Sequence, residues 1–299
     1  MPTETHSFIQ RLIARGPVLT DGAWGTQLQA RGLFPGEFPD SWNLTHADRV
    51  AQVAEAYVAA GSQVILTNTF GANRLRLTEA GLADRVAEIN AAGVRISKAS
   101  AGSRAYVFAS MGPSGRMLVT GDVTADELAA IFREQASALA TAGADALVIE
   151  TMADLEEAKL AVAVAKETGL PVVASMVFGF GKDKDRTMMG TTPEQAAAGL
   201  VAAGADVVGA NCGQGIEGFV KICARLRDAA DSRPVWIKAN AGLPKMLDGR
   251  AFYPTTPGEF ASYLPALLEA GAGFIGGCCG TSPEFITELR RQLDHLACT

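Results

Sequence analysis

The sequence predicts a single α/β unit, a (βα)8 or TIM barrel, and three observations carry that reading. Eight short β-branched runs recur along the chain, each followed by a longer helical stretch. The segments AAGSQVILTNT, TAGADALVIET, AAGADVVGANC and EAGAGFIGGCC repeat one another, each setting Ala-Gly at a helix end before a strand. The 299 residues also suit one large barrel, which typically needs about 250. No break in composition marks a second unit, so residues 1–299 are read as one domain. An open doubly wound sheet is the alternative topology.

Strands are expected at 17–20 (PVLT), 63–67 (QVILT), 105–110 (AYVFAS), 146–150 (ALVIE), 172–177 (VVASMV), 206–210 (DVVGA), 235–239 (VWIKA) and 273–276 (GFIG). Most are nearly continuous in apolar character, as parallel strands covered on both faces should be. Helices are expected at 47–60, 84–100, 125–142, 154–167, 193–203, 216–230, 257–270 and 283–296. The helix 154–167 shows why. Asp154 can cap its start, acidic residues follow, and Leu155, Ala158, Val162 and Ala165 mark one inward face. Gly61, Gly143, Gly204 and Gly271 fall where a left-handed residue would stop a helix before the next strand.

Composition narrows the class. Hydrophobic residues make up 48% and charged residues 19%, which supports a sizeable core and argues against disorder. A net charge of −6 is ill suited to gripping nucleic-acid phosphates or an anionic membrane, so neither is expected as a partner. No run near twenty residues is purely apolar. The opening MPTETHSFIQ lacks the pattern of a secretory or mitochondrial leader. A cytoplasmic enzyme is the expectation.

In such barrels chemistry gathers at the C-terminal ends of the strands. Here those ends read DGAWGT (21–26), TNTFGAN (67–73), SMGPSG (110–115), Glu150-Thr151, NCG (211–213), NAG (240–242) and GGCCGT (276–281). Gly, Asn and Asp are common in any β-to-α turn, but so many polar handles on one rim point to a site. Five cysteines, two of them adjacent, fit no disulfide framework. Cys212 and the Cys278-Cys279 pair lie at strand ends that a closed barrel brings over one mouth. Cys223, in the helix KICARLRDAA, and Cys298, in the tail, do not. The three could be buried small hydrophobes. They could equally hold zinc with one tetrahedral position open, the arrangement of a catalytic site. Zinc with three thiolates carries a charge of −1, so it suits a fourth thiol better than hydroxide generation. Metal coordination deprotonates a thiol at neutral pH. The chemistry expected is thiol alkylation. It needs no base at the sulfur, and His6, His46 and His295 avoid the strand ends.

Taken together, LTNTF (66–70), GANCG (209–213), KANAGLP (238–244) and GGCCGT (276–281) resemble the homocysteine S-methyltransferase family. That family includes the betaine and S-methylmethionine enzymes and the N-terminal module of cobalamin-dependent methionine synthase. The resemblance runs from DGAWGT at 21 to GGCCGTSPEFI at 276–286. It implies Cys212, Cys278 and Cys279 as zinc ligands that activate the homocysteine thiol, with methionine as product. It also implies a turn at Asp21, Gly22 and Ala23 whose amides receive the substrate carboxylate, and Glu150 as acceptor for its ammonium. Thr67 and Asn211 are implied as rim contacts.

For the methyl donor, a small onium compound such as glycine betaine would want aromatic faces. Trp24, Trp42 and Phe70 are the candidates, with Phe178, Phe180 or Tyr253 as possible additions. Gly71 and Thr151 stand where the animal betaine enzymes carry tyrosines, which leaves the familiar cage incomplete. The alternative is a homocysteine-activating subunit that takes its methyl group from a separate methylcorrinoid protein. A third reading, a barrel lyase or aldolase, would need a Schiff-base lysine, for which Lys238 is the candidate.

Overall fold

A computed structural model describes residues 4–247 and 250–298. Parts of the predicted 1–299 span, namely 1–3, 248–249 and 299, lie outside the described residues. The strands are β1 (Val18–Leu19), β2 (Val64–Ile65), β3 (Tyr106–Met111), β4 (Ala146–Met152), β5 (Val172–Met176), β6 (Val207–Gly215), β7 (Val235–Asn240), β8 (Lys245–Leu247), β9 (Arg250–Phe252) and β10 (Ala272–Gly277). Eight form one sheet in the order β1-β10-β7-β6-β5-β4-β3-β2, and every pair within it is parallel. The remaining seam, between β1 and β2, is closed by Gln63 N donating to Leu19 O (2.8 Å) and Leu66 N donating to Asp21 Oδ2 (2.7 Å). The fold is the predicted (βα)8 barrel.

Strand alternation makes two cores. Val18, Val64, Phe108, Val148, Val173, Val207, Trp236 and Phe274 form one buried cluster inside the barrel. Their neighbours, among them Leu19, Ile65, Val107, Leu147 and Ile237, join the layer packed under the helices. A helix at Glu4–Ile13, which the sequence reading did not foresee, plugs the bottom. Its Ile9 is fully buried in the inner cluster, and the Phe8 ring meets that of Tyr106 edge-on at 5.2 Å. Two residues further along the inner face, side chains turn polar. Phe108 gives way to Ser110, Val148 to Glu150, Val173 to Ser175 and Trp236 to Lys238. The period of two thus delivers an apolar floor below a polar mouth.

The predicted helices are present within a residue or two, with one exception. The span 257–270 divides into Pro257–Ala261 and Leu264–Glu269. Pro265 explains the break, since it lacks an N–H for the preceding turn and its ring clashes with the carbonyl four residues back. Gly61, Gly143, Gly204 and Gly271 all have φ between +93° and +103°. Asp154 caps its helix through the Glu156 N–H (2.9 Å). The β8–β9 hairpin was not expected. Among the described residues, no helix is long and apolar enough to cross a membrane.

Candidate metal and substrate site

Three strand ends place the thiols. β6 carries Asn211 on its inner face, and the next two residues turn left-handed, Cys212 at φ +60° and Gly213 at φ +81°. A non-glycine residue there costs roughly 1–2 kcal/mol, and tight packing around the turn maintains it. A Cβ on Gly213 would lie 2.0 Å from the Phe178 carbonyl oxygen. At the end of β10, Cys278 N donates to Ala239 O (2.7 Å) and Ala241 N donates to Cys279 O (2.9 Å). Both bonds hold the cysteine backbone against β7 while the chain leaves the strand at Gly280 (φ +81°). Adjacent side chains that would diverge in a regular strand therefore converge.

The sulfurs of Cys212, Cys278 and Cys279 all lie within 4.8 Å of one another. Cys212 Sγ and Cys279 Sγ are 3.9 Å apart. Tetrahedral zinc with Zn–S bonds of about 2.3 Å spaces its sulfurs about 3.8 Å apart, so the trio fits such an ion. Without a cation three thiols this close share their protons. Hydrogen bonds from Cys278 and Cys279 pull the Cys212 thiol down to about 3. The same contact with Cys212 pushes Cys279 up to about 12 and Cys278 well above the usual thiol range. One thiolate forms easily and the others resist, which is a donor set that a divalent cation would complete.

Polar groups behind the thiols fix their orientation. Asn211 Oδ1 accepts from Thr151 N (2.8 Å) and Ser175 Oγ (2.7 Å), while Nδ2 donates to Thr151 Oγ1 (2.7 Å) and approaches Cys278 Sγ at 3.9 Å. The side chain expected as a rim contact is thus engaged with protein and fully buried. Thr281 Oγ1 donates to Cys278 O (2.7 Å) and accepts from Ala23 N (3.1 Å), tying the cysteine loop to the first turn. Gly22 must lack a side chain, because a Cβ would sit 2.7 Å from the Tyr57 hydroxyl and 2.8 Å from Thr281 Oγ1. The Tyr253 ring covers Gly280, and burial, helped by the nearby Cys279 sulfur, pushes the Tyr253 hydroxyl up to about 12.

The second half of the site is charged and buried. Ser110 Oγ donates to Glu150 Oε1 (2.5 Å), and Thr67 Oγ1 accepts from Ser110 N (3.0 Å). Burial pushes the Glu150 carboxyl up, while the Lys238 charge and the Ser110 hydrogen bond pull against it. Asp21 and Lys238 form an ion pair with both side chains essentially inaccessible, Asp21 at 0% and Lys238 at 2%. Asp21 Oδ2 also accepts from Trp24 Nε1 (2.7 Å) and Leu66 N (2.7 Å). A lysine committed to this pair is no free nucleophile, which removes the geometric basis of the Schiff-base reading.

A cleft of about 1640 Å³ opens over these groups. Its walls include Gly22, Ala23, Thr67, Glu150, Lys238 and the three cysteines, with Trp24, Phe70 and Tyr253 as aromatic faces. Three other sequence candidates lie elsewhere. Trp42 is 2% exposed, with Arg49 over its ring at 5.3 Å and the His46 ring tilted against it at 4.5 Å, and it does not line the cleft. Phe178 is fully buried, and Phe180 lies outside the cleft wall. Conversely, sequence reasoning missed Asp40 at the cleft margin, where the buried carboxylate accepts from Gly71 N (2.9 Å). It also missed the Ser110 contact to Glu150, although SMGPSG had marked that strand end.

A closed barrel thus brings three clustered thiols and a buried acid together at its strand ends. The family model described as homocysteine S-methyltransferase matches residues 18–293, and the chain belongs to that family. Methionine synthase of Mycobacterium tuberculosis (strain ATCC 25618 / H37Rv) is 30% identical over 304 residues, covering 95% of this chain and 25% of that protein. Methionine synthase of Mycobacterium leprae (strain TN) is 29% identical over 296 residues, covering 93% and 24%. The chain thus spans about a quarter of the length of these curated relatives. Among solved structures, the metallated form of the homocysteine methyltransferase MmuM from Escherichia coli superposes with a TM-score of 0.78 at 23% identity. The match covers 95% of this chain and 99% of that one, and at this identity it bears on the fold.

Proposed function

We propose that this protein is a zinc-dependent homocysteine S-methyltransferase that forms methionine. The observation that carries the reading is the convergence of Cys212, Cys278 and Cys279 within one cleft whose wall also holds Glu150. Cys212, Cys278 and Cys279 would hold the zinc, and when bound it supplies a fourth position that keeps the homocysteine sulfur a thiolate at neutral pH. Glu150, oriented by Ser110, accepts the substrate ammonium, and the Asp21–Ala23 turn faces its carboxylate. Asn211 acts behind this surface as a positioning residue, and Thr67 lines the cleft while holding the Ser110 backbone. The substrate sulfur forms a bond to the methyl carbon as the bond between that carbon and its carrier breaks, the electron pair leaving with the carrier. Holding both reactants in one cleft supplies much of the acceleration.

Two methyl donors fit this chemistry. A small onium compound such as glycine betaine would rest its cation on Trp24, Phe70 and Tyr253. A methylcorrinoid on a separate protein is the second, and specific observations favour it. Trp42 is turned into the core, Gly71 and Thr151 add no ring, and the cleft exceeds the roughly 300–1,000 Å³ of a typical small-ligand pocket. The deciding experiment incubates zinc-loaded protein and homocysteine with betaine, dimethylsulfoniopropionate, S-methylmethionine or methylcobalamin and follows methionine. Methionine from methylcobalamin alone supports the carrier reading, and turnover with betaine alone supports the onium reading. No methionine from any donor, with or without an added corrinoid protein, contradicts the proposed activity.

A further inference from the structure

We infer that Lys238 is a substrate-binding residue: its ammonium receives the carboxylate of the amino-acid thiol and makes the site selective for an α-amino acid over a simple amine thiol. The inference rests on the homocysteine reading above and extends it to a residue that the reading leaves out.

The argument begins with donors and acceptors. An ammonium has three N–H donors. Among the described residues, Asp21 Oδ1 accepts one from Lys238, and no other protein acceptor is bonded to Nζ. Lys238 nevertheless lines the cleft with its side chain 2% exposed. A buried ammonium with donors to spare beside a cleft favours an anionic occupant, because unsatisfied donors in a low dielectric are costly. Asp21 Oδ2 is already shared by Trp24 Nε1 and Leu66 N, so Lys238 meets this carboxylate through Oδ1 alone.

Location points to the carboxylate. The ion pair sets Nζ beside the Asp21–Ala23 turn, the segment that resemblance assigns to the carboxylate. One amide of that turn, Ala23 N, is already spent on Thr281 Oγ1. The turn alone therefore offers fewer donors than a carboxylate accepts, and Lys238 supplies the deficit together with a full positive charge. The Lys238 charge also reaches Glu150, the proposed ammonium acceptor. A positive and a negative group side by side match the zwitterionic end of an α-amino acid, while the three thiols hold its sulfur.

The test is calorimetric binding of L-homocysteine and of 3-aminopropane-1-thiol, which lacks the carboxylate, to zinc-loaded protein. The wild type should prefer homocysteine. K238M should lose about tenfold or more in homocysteine affinity, the scale of a charged hydrogen bond, and leave the amine thiol unchanged. An equal loss for both thiols would show a merely structural lysine and overturn the inference. Because K238M leaves Asp21 buried without its partner, the D21N/K238M variant is measured alongside it. A folded double variant that keeps the wild-type preference also overturns the inference. Wild-type protein that binds neither thiol overturns the homocysteine reading as well, whereas homocysteine binding unaffected by K238M overturns the Lys238 assignment alone.

Discussion

Cys212 Sγ and Cys279 Sγ lie 3.9 Å apart although 67 residues separate them in sequence. β7 stands between their strands in the sheet order, and its Ala239, with Ala241 just beyond its end, holds the Cys278-Cys279 backbone. Each of the three clustered sulfurs should therefore be indispensable to the metal. Cys212→Ala, Cys278→Ala and Cys279→Ala are each expected to lower bound zinc well below one equivalent and abolish methionine formation. Cys223→Ala and Cys298→Ala should retain zinc, since Cys223 is buried on the helix Ile216–Ala229 and Cys298 is exposed in the tail. Metal analysis of the five purified variants checks both halves.

Asn211 packs behind the three thiols, bonded to Thr151 and Ser175. Asn211→Ala would strip the half-buried Thr151 N and the buried Ser175 Oγ of their acceptor, at a cost of about 1–3 kcal/mol. It should also weaken zinc about 10–100-fold, as loss of an outer-shell partner typically does. Chelator competition against wild type measures the second effect, and urea unfolding measures the first.

Gly280 should tolerate no side chain. Its φ is +81°, and a Cβ would fall 2.1 Å from the Tyr253 ring. Gly280→Ala must displace Tyr253 from Cys279, so both zinc retention and activity should fall. Tyr253→Phe, which keeps the ring and removes the hydroxyl, should perturb them less.

Trp42 is predicted to matter for stability and not for turnover. Trp42→Ala should cost about 3–5 kcal/mol, the range for removing a buried aromatic side chain. The folded fraction should keep its kcat. A specific rise in KM for betaine with stability unchanged would instead return Trp42 to the donor pocket.

Burial raises the Asp40 carboxyl from 3.8 to about 7, against hydrogen bonds and the Arg76 charge. The folded state therefore holds this proton more tightly than the unfolded chain does. The resulting stability is fully present below pH 4 and is lost as pH rises through 7. The difference amounts to roughly 4 kcal/mol at about 1.4 kcal/mol per unit. Asp40→Asn keeps an acceptor for Gly71 N and removes the titration. Urea unfolding should show the wild type losing stability relative to D40N between pH 4 and 7, and a constant difference would contradict this assignment.

Much of the molecule was legible in the sequence because its signals are local and repeated. Ala-Gly before a β-branched run marks a helix stop and a strand start, and four such segments recovered the barrel rhythm. The cysteines were legible because two motifs placed them at strand ends. What escaped depends on contacts between distant positions. Asp21 and Lys238 are 217 residues apart, and although the sequence marks each as a candidate, their pairing emerges only when the barrel closes. Trp42 was placed by its neighbours in sequence, whereas Arg49 and His46 draw its ring into the core. The helix 4–13 went unread because its value lies in plugging a barrel that its own sequence does not describe. The break at Pro265 was legible from proline chemistry and was passed over for the apolar pattern around it.

The central claim is that Cys212, Cys278 and Cys279 bind zinc and leave one position for the substrate sulfur. Zinc K-edge X-ray absorption on the purified protein tests it most directly. The account predicts three sulfur neighbours without substrate and four with L-homocysteine, all near 2.3 Å. A sulfur count that does not change when homocysteine is added, or a site lacking three sulfurs at the outset, would contradict it.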